Sequence, residues 1–498
     1  MRDLHNNPLW QTNDLGKPLP DDPHAVSVAL PLWEHVVGYE EADPAILDRL
    51  QCGYPRFFVH PLVKRLFAEA ESNCAGPGER LMLLPSRPAV ERAASYIERV
   101  AGVQTRITEA FGCFAVIMPE AGWEAAMKYW RFCGEIVSSR RAEAVLADRV
   151  STDEGDAQAA EAKRKIRSRL AELAGQSEDD VFLFPSGIAA VYAAQRLAAG
   201  LNPDRKTVQI EFPYVDVLKV QEEFEIGVEF IPNCAAGGVP GVQQLLAAGR
   251  PPAGVFCEIP SNPQLRTADL AGLASILQPI GIPLVVDDTI ATVINVDCFQ
   301  HADVVTTSLT KFFSGAGDVL AGSLILNRES PLYDRMAVIL REIYVDDFWA
   351  DDALVLERNS RDFAERIPKI NSTTEAVFDF LADHPAIEQI WYPKTATRGF
   401  YDAIRREGSG FGGLFSILLH DPKRNAPRFH DALQISKGPS LGTNFTLACP
   451  YMLLAHYPEL DWSDALGIDR HLVRFSIGLE EPSDLVSRIE SALSRLGS

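Results

Sequence analysis

The sequence lacks a long hydrophobic run. No uninterrupted apolar stretch approaches the roughly 18 residues that a membrane-spanning helix requires. The chain also opens without a charged segment followed by an apolar one, which is the pattern of a secretory leader. We therefore expect no membrane partner and a location in the cytoplasm.

Basic residues are scarce relative to acidic ones. Lys and Arg number 47 against 68 Asp and Glu, which gives a formal net charge of −21. A surface of this sign repels nucleic acids and anionic membranes, so neither is expected as a partner. Any phosphate or carboxylate that the protein binds must be held by individually placed cations.

Patterns that bind metals or form disulfides are missing as well. The eight cysteines are scattered without CxxC spacing, and the ten histidines form no HExxH motif. We expect buried, reduced thiols and no metal site. The remaining composition, 47% hydrophobic and 23% charged, is ordinary for a large globular protein of two or three domains.

What is present begins with short apolar strands that alternate with helical segments. VFLF, TVQIEF, GVFCEI, PLVVDD and DVVTTS, between residues 181 and 308, predict an α/β fold with a mostly parallel sheet covered on both faces. We place this domain at residues 151–350. An N-terminal arm with a small α/β insertion precedes it (1–150), and a smaller α/β domain follows it (351–498). The arm, rich in Pro, Asp and Asn up to about residue 60, is expected to drape over a neighbour.

One segment carries a chemical signal. Residues 308–327, SLTKFFSGAGDVLAGSLILN, place Lys311 after a hydroxyl-rich turn and before a glycine-rich stretch. Upstream, PLVVDDTIAT reads as a buried strand that ends in two acids. An acid at the carboxyl end of such a strand suits a partner for the ring nitrogen of pyridoxal phosphate, and the turn is typical of the lysine that binds this cofactor.

These segments resemble the Cys/Met-metabolism family of pyridoxal-phosphate enzymes. VDDT, SLTK and GDVLAG match the family pattern, and further matches follow in the family's order: VFLFPSGIAAVYAA, EFPYVDVLK, CEIPSNPQLRTADL, GPSLGTNFTL and HLVRFSIGLEEPSDL. The resemblance covers roughly residues 165–498. The N-terminal part, with HAVSVALPLWEHVVGYEE and GYPRFFVHP, is similar to the fungal-type cystathionine γ-synthases.

The resemblance implies a fold-type-I transferase with a mostly parallel, seven-stranded sheet and pyridoxal 5'-phosphate as cofactor. It also implies small amino-acid substrates and a homodimer or homotetramer with active sites at the subunit interface. The roles that it transfers to this sequence are catalysis by Lys311 and Tyr214; cofactor binding by Gly187, Ile188, Asn262, Asp287, Ser308 and Thr310; and substrate binding by Arg474 and Ser440, with Leu441 beside them.

The match to the family is imperfect at three places. Asp287 rather than Asp288 matches the cofactor partner, because the family has Asn where Asp288 stands. The family's glycines after the tyrosine are replaced by Val215 and Asp216. The family's Gly-His after the lysine reads Gly-Ala here, at residues 315–316.

The family's Tyr-x-Arg, which clamps the cofactor phosphate from the neighbouring subunit, has two candidates here. VSSRRAE aligns better and puts Arg140 in the arginine's place and Ser138 in the tyrosine's. Tyr54 and Arg56, in GYPRFF, preserve the Tyr-x-Arg pattern but lie far upstream of PSGIAA. Arg140 is the preferred prediction, and the other pair stays open.

The function that the resemblance implies is replacement at the γ-carbon of an activated homoserine, with cysteine as nucleophile and cystathionine as product. Lyases and synthases share these motifs, so γ-elimination to 2-oxobutyrate is one alternative. A specialised γ-substitution, with another leaving group or a carbon nucleophile, is a second. A catalytically silent binding platform is a third, but retention of Lys311, Asp287 and Arg474 argues against it.

Overall fold

A computed structural model describes residues 2–149, 152–232 and 236–497. Three β-sheets follow one another along these residues, and helices cover each of them. No helix of the described ranges is both long and apolar enough to cross a membrane. The predicted boundary between residues 150 and 151 lies outside the described residues, and the domain limits stay a prediction.

The N-terminal part contains an antiparallel three-stranded sheet with its central strand contributed last. Ser86 caps the helix that packs on this sheet, accepting from the amide of Ala89. The elements are α1 (Trp33–Glu40), α2 (Pro44–Leu47), α3 (Pro61–Cys74), β1 (Glu79–Leu84), α4 (Arg87–Ala101), β2 (Arg106–Ala110), β3 (Cys113–Pro119), α5 (Trp123–Cys133) and α6 (Ser139–Leu146).

The central part confirms the predicted mostly parallel, seven-stranded sheet. Its elements are α7 (Asp153–Ala174), β4 (Val181–Phe184), α8 (Gly187–Leu201), β5 (Thr207–Ile210), α9 (Val215–Glu223), β6 (Val228–Ile231), α10 (Val239–Ala247), β7 (Val255–Glu258), α11 (Leu270–Leu277), β8 (Leu284–Asp287), β9 (Val304–Thr307), β10 (Gly322–Leu326) and α12 (Tyr333–Ile343). The strand order is β4-β10-β9-β8-β7-β5-β6, and only β10 runs antiparallel to its neighbours.

The short strands of this sheet are apolar along nearly their whole length because helices bury both faces. The parallel strands β5, β7, β8 and β9 all end at the same edge of the sheet. Their carboxyl ends therefore bring together residues that are far apart in sequence, which is where α/β folds usually bind ligands.

The C-terminal part adds a five-stranded sheet of order β11-β12-β15-β14-β13. Its elements are α13 (Ala350–Asn359), α14 (Phe363–Ala382), β11 (Ile387–Trp391), α15 (Arg398–Ile404), β12 (Leu414–Leu419), α16 (Pro422–Ala432), β13 (Ser436–Lys437), β14 (Leu447–Pro450), α17 (Tyr451–His456), α18 (Leu460–Ala465), β15 (Val473–Ser476) and α19 (Pro482–Leu493). One continuous apolar core joins this sheet to the central one.

The N-terminal arm packs on its own chain. The amide of Leu30 donates to the carbonyl of Lys437 at 2.8 Å, and the amide of Val26 donates to that of Gly317 at 2.9 Å. Leu30 and Val28 are fully buried, and Leu453 of α17 belongs to the same apolar cluster. Several apolar side chains of the arm therefore pack within its own molecule, and the expectation that the arm drapes over a neighbour stays a prediction.

Candidate active site

A cavity opens at the carboxyl edge of the central sheet. Mostly aromatic and aliphatic side chains line it, with a few buried charged groups between them, which is the usual form of a small-molecule site. All the site residues predicted from the sequence line this cavity except Thr310 and Arg140. Those that do are Gly187, Ile188, Tyr214, Asn262, Asp287, Ser308, Lys311, Ser440 and Arg474.

Lys311 lies in the loop that follows β9 and is buried, with 8% of its surface exposed. Its Nζ donates to Ser440 Oγ at 2.9 Å and lies 4.3 Å from the centre of the Tyr54 ring. Burial lowers the pKa of Lys311, and Arg474 and Arg56 lower it further, although Tyr54 opposes this. The neutral amine, which is the nucleophilic form, is therefore more accessible than in an exposed lysine.

The N-terminus of α8 forms an open backbone surface in the cavity. Ser186 caps the helix by accepting from the amide of Ala189 at 3.2 Å. The amides of Gly187 and Ile188, at the start of the helix, have no partner within the helix. A Cβ on Gly187 would lie 2.6 Å from Ser308 Cβ. Glycine is therefore required for Ser308 to lie this close to the helix N-terminus, and together they form a site suited to an anion.

Thr310 has a different position from the one predicted. Its hydroxyl donates to the carbonyl of Ala321 at 3.2 Å and accepts from the amide of Ala321 at 3.1 Å. These bonds tie the lysine loop to β10. The structure therefore places Thr310 behind the loop rather than in the cavity wall.

The two acids at the end of β8 face different environments. Asp287 lines the cavity and accepts from the amide of Thr289 at 2.9 Å, while Asp288 accepts from the Thr307 hydroxyl at 2.5 Å and lies outside the cavity. Burial raises the pKa of Asp287. Among the residues that the structure describes, no Lys, Arg or His forms an ion pair with Asp287, so the cavity offers this acid room for a cationic ligand.

A cationic side chain that can bind a carboxylate lies across the cavity. Arg474, on β15, donates to Asn262 Oδ1 at 3.1 Å and to the carbonyl of Ser440 at 2.8 Å. Its guanidinium stacks 4.3 Å from the ring centre of Tyr451. Because Ser440 also binds Lys311 through its hydroxyl, the arginine and the lysine are held on either side of one residue. A carboxylate bound by Arg474 would place the rest of an amino acid near Lys311.

Tyr214 precedes α9 and belongs to a buried ionic group. Its hydroxyl accepts from Arg56 Nη2 at 2.8 Å and donates to Asp216 at 3.3 Å, and Arg56 also forms a short ion pair with Asp216. Burial raises the pKa of Tyr214 well above its ordinary value. Burial would also raise the pKa of Tyr54, but Lys311 and Arg56 beside it bring that pKa below its ordinary value.

The structure brings Tyr54 and Arg56 into the cavity and leaves Arg140 outside it. Arg140 donates to the carbonyl of Asp318 at 2.7 Å and to Asp352 Oδ1 at 3.2 Å, in a separate small cavity near His24. Within its own chain Arg140 is thus paired with acids outside the cavity, and the Tyr54–Arg56 pair lies near Lys311; which of the two clamps a neighbouring subunit's phosphate stays a prediction.

The sequence did not point to three buried residues that line the cavity or lie beside it. Glu258 ends β7 in register with Asp287, accepts from the amide of Tyr214 at 2.9 Å, and has its pKa raised well above the ordinary value by burial. Its place at a parallel strand's end was a usable signal. Asp216 was noticed only as a departure from the family, and for Tyr451 the sequence carries no signal.

The site fits pyridoxal 5'-phosphate. A bare helix N-terminus suits its phosphate, the partly buried Asp287, which forms no ion pair among the described residues, suits its ring nitrogen, and the buried Lys311 suits its aldehyde. Gly187, Ile188 and Ser308 would hold the phosphate, and Arg474 would bind a substrate carboxylate. The arrangement can therefore bind an amino acid and move protons on it.

Comparison with known proteins agrees with this chemistry. Residues 160–494 match the model of the Cys/Met metabolism PLP-dependent enzymes, and residues 62–138 match that of the N-terminal domain of fungal trans-sulfuration enzymes. A solved structure of cystathionine γ-synthase from Xanthomonas oryzae pv. oryzae superposes with a TM-score of 0.58 at 23% identity, covering 68% of this chain and 87% of that one. The predicted fold-type-I class is confirmed.

Two curated relatives are similar over nearly their whole length. Cystathionine γ-synthase of Neurospora crassa is 32% identical, over 96% of this chain and 98% of its own, in an alignment of 608 positions. The L-2-amino-4-chloropent-4-enoate dechlorinase/desaturase of Streptantibioticus cattleyicolor is also 32% identical, over 97% of this chain and 98% of its own. That alignment has only 498 positions, so it needs far fewer gaps.

Proposed function

Since this chain belongs to the Cys/Met metabolism family of pyridoxal-phosphate-dependent enzymes, we propose that it catalyses replacement at the γ-carbon of an activated homoserine. The substrates would be O-succinyl- or O-acetyl-L-homoserine and L-cysteine, and the product L-cystathionine. The observation that supports this most is the Lys311–Ser440–Arg474 connection, which couples a carboxylate site to a proton-transferring amine. The fungal relatives that are cystathionine γ-synthases support cysteine as the nucleophile.

Arg474 binds the α-carboxylate of the substrate with two donors and so orients the α-hydrogen toward Lys311. Pyridoxal phosphate, when bound, withdraws electrons from the α-carbon. Lys311 accepts the α-proton at Nζ and can return it elsewhere on the substrate, because burial lowers the pKa of its amine. Asp287 would hold the ring nitrogen of the cofactor in its protonated form.

The two tyrosines have different proton affinities and therefore different roles. Tyr214 keeps its proton because burial raises its pKa, so it serves as a donor and packing surface. Tyr54 ionises more readily because Lys311 and Arg56 face it, so it is the better acceptor for the proton of an incoming substrate amine. The catalytic role that the resemblance gives to Tyr214 would thus be shared with Tyr54.

A homodimer or homotetramer is part of this proposal and rests on the family resemblance. Size-exclusion chromatography with light scattering would measure the subunit number. The cytoplasmic location stays a prediction of the sequence.

The experiment that tests the function is mass spectrometry of the products from each acyl-homoserine, with and without cysteine. Cystathionine that forms only when cysteine is present would support γ-replacement, whereas 2-oxobutyrate formed regardless of cysteine would make the protein a γ-lyase. The Lys311→Ala variant, expected to give neither product, controls for uncatalysed reaction of the esters.

A second candidate is loss of chloride from a γ-chlorinated amino acid. The near-gapless alignment with the Streptantibioticus dechlorinase/desaturase favours it, since the fungal synthase aligns only with long insertions. The test is chloride release from L-2-amino-4-chloropent-4-enoate. Chloride release without cysteine, together with no turnover of either ester, would select this function over γ-replacement.

A further inference from the structure

Tyr451 lies against the arginine on the substrate side of the cavity. It is the first residue of α17 and is buried, with 3% of its surface exposed. We infer that Tyr451 is a positioning residue for the amino-acid substrate: its ring sets the plane of the Arg474 guanidinium, and so the direction in which a bound carboxylate lies. The inference rests on the proposed function, since it takes Arg474 to bind the substrate carboxylate.

Arg474 is a buried cation without a carboxylate beside it. It is 4% exposed, and no Asp or Glu among the described residues forms an ion pair with it. Its hydrogen-bond acceptors are neutral oxygens, Oδ1 of Asn262 and the carbonyl of Ser440. Because a buried charge without an opposite charge is costly, the electron-rich face of an aromatic ring stabilises it appreciably. Tyr451 supplies that face, with its ring centre 4.3 Å from the guanidinium carbon.

The hydrogen bonds and the ring restrain different motions of the guanidinium. The bonds to Asn262 and Ser440 restrain its two terminal nitrogens. The ring of Tyr451 covers the guanidinium and restricts tilting of its plane, which bonds at the edge of the group leave possible. A carboxylate binds arginine through two parallel donors in that plane, so a tilt of the plane would turn the whole substrate relative to Lys311.

The hydroxyl of Tyr451 links the same arginine to the cofactor side of the cavity. Asn262 Nδ2 donates to the Tyr451 hydroxyl at 3.1 Å, while Oδ1 of the same amide accepts from Arg474 at 3.1 Å. The resemblance assigns Asn262 to cofactor binding. Tyr451 therefore contacts both the arginine for the substrate and the asparagine for the cofactor, and it fixes the position of one relative to the other.

The helix that carries Tyr451 packs against the N-terminal arm. Leu453, two residues further along α17, belongs to the apolar cluster of the arm. The hydroxyl of Tyr457, just after α17, donates to Glu41 Oε1 at 2.6 Å, next to the end of α1. The arm therefore supports the substrate side of the cavity through α17, in addition to the side chain of Tyr39, which it contributes to the cavity lining.

The test compares two aminooxy compounds that differ by a carboxylate, aminooxyacetate and methoxyamine, on the cofactor-loaded protein. In each reaction the aminooxy nitrogen replaces Lys311 on the cofactor aldehyde and releases the lysine amine, so the rate is read from the loss of lysine-bound absorbance. Wild-type protein should react faster with aminooxyacetate, because Arg474 binds its carboxylate.

Tyr451→Leu should slow the reaction with aminooxyacetate about ten- to thirty-fold and leave that with methoxyamine unchanged, because only the carboxylate depends on Arg474. Tyr451→Phe keeps the ring and should slow it by no more than about threefold. Tyr401→Phe is the matched control, since Tyr401 is fully buried, donates to the carbonyl of Gly410 and does not line the cavity. Its rates should equal those of the wild type.

A double variant separates positioning from a general loss of packing. If Tyr451 acts through Arg474, Tyr451→Leu combined with Arg474→Lys should slow the aminooxyacetate reaction by much less than the product of the two separate effects. Tyr451→Met, whose flexible side chain fills irregular gaps, replaces Tyr451→Leu if that variant does not fold.

Equal slowing of both compounds in Tyr451→Leu would overturn the inference, and so would wild-type rates with both. A loss in Tyr451→Phe as large as in Tyr451→Leu would also overturn it, because the hydroxyl and not the ring would then be responsible. Wild-type protein that reacts with both compounds at one rate would remove the carboxylate site on which the inference depends. Failure of the proposed function is read separately, as the absence of products from either acyl-homoserine.

Discussion

Replacing Gly187 by alanine tests the geometry of the phosphate site directly. The new Cβ would lie 2.6, 2.8 and 2.9 Å from Ser308 Cβ, Oγ and Cα. Ordinary carbon contacts lie at about 3.5–4.0 Å, so Ser308 and the start of α8 must separate by about 1 Å. This displaces the amides of Gly187 and Ile188 from the serine that completes the anion site.

Two opposing terms determine the effect on stability. Overpacking costs about 1–3 kcal/mol, while alanine regains up to about 1 kcal/mol over glycine in a helix. The melting temperature should therefore fall only slightly. Cofactor affinity should fall much more, about ten- to hundred-fold, because the displaced amides lose hydrogen bonds to a charged phosphate.

The assay is titration of the apoenzyme with pyridoxal phosphate, followed by absorbance, beside a thermal melt. Gly399→Ala is the matched control, since Gly399 also lies in the first turn of a helix and its Cβ would meet nothing within 4 Å. That variant should bind the cofactor as the wild type does. Wild-type affinity in Gly187→Ala would refute the assignment of this helix N-terminus to the phosphate.

Three further predictions concern other groups. Lys311→Ala should abolish the visible absorbance of lysine-bound cofactor, and an unchanged spectrum would contradict the whole site assignment. Arg474→Lys should raise KM for amino-acid substrates about ten- to hundred-fold with the cofactor spectrum unchanged, because lysine cannot bind a carboxylate with two parallel donors; an unchanged KM would place the carboxylate elsewhere. Burial lowers the pKa of Lys437 to about 7, so between pH 7 and about 10 the unfolded chain binds more protons at this residue than the folded one. This residue should thus raise the free energy of unfolding with pH, by up to about 1.4 kcal/mol per unit, and Lys437→Met should reduce the gain in melting temperature between pH 7 and pH 9.

Residues at the ends of strands and helices were accessible from the sequence. Lys311, Asp287 and Gly187 each follow or begin an element with a clear apolar pattern, and the direction of parallel strands brings such ends to one edge. The same argument, applied to the last residue of GVFCE, would have found Glu258. These positions can be predicted because they follow from the pattern of apolar residues in adjacent positions.

Thr310 and Arg140 show where that argument stops. Thr310 belongs to the same turn as Lys311, yet its hydroxyl binds the backbone of Ala321, and no sequence pattern states which way a buried side chain in a loop will turn. The alignment of VSSRRAE pointed to Arg140 as a phosphate clamp for a neighbouring subunit; within its own chain Arg140 lies against Asp318 and Asp352, and the clamp role stays a prediction. Both positions depend on contacts between residues far apart along the chain.

The sequence by itself determined the family, the cofactor and the mostly parallel sheet, because each is encoded in short motifs and in the spacing of apolar residues. Only the tertiary structure decided that Arg56 lies beside Tyr214 and that the arm covers its own chain. Asp216 shows the physical reason: this buried carboxylate is compensated by Arg56, which reaches it only because the chain folds back across 160 positions.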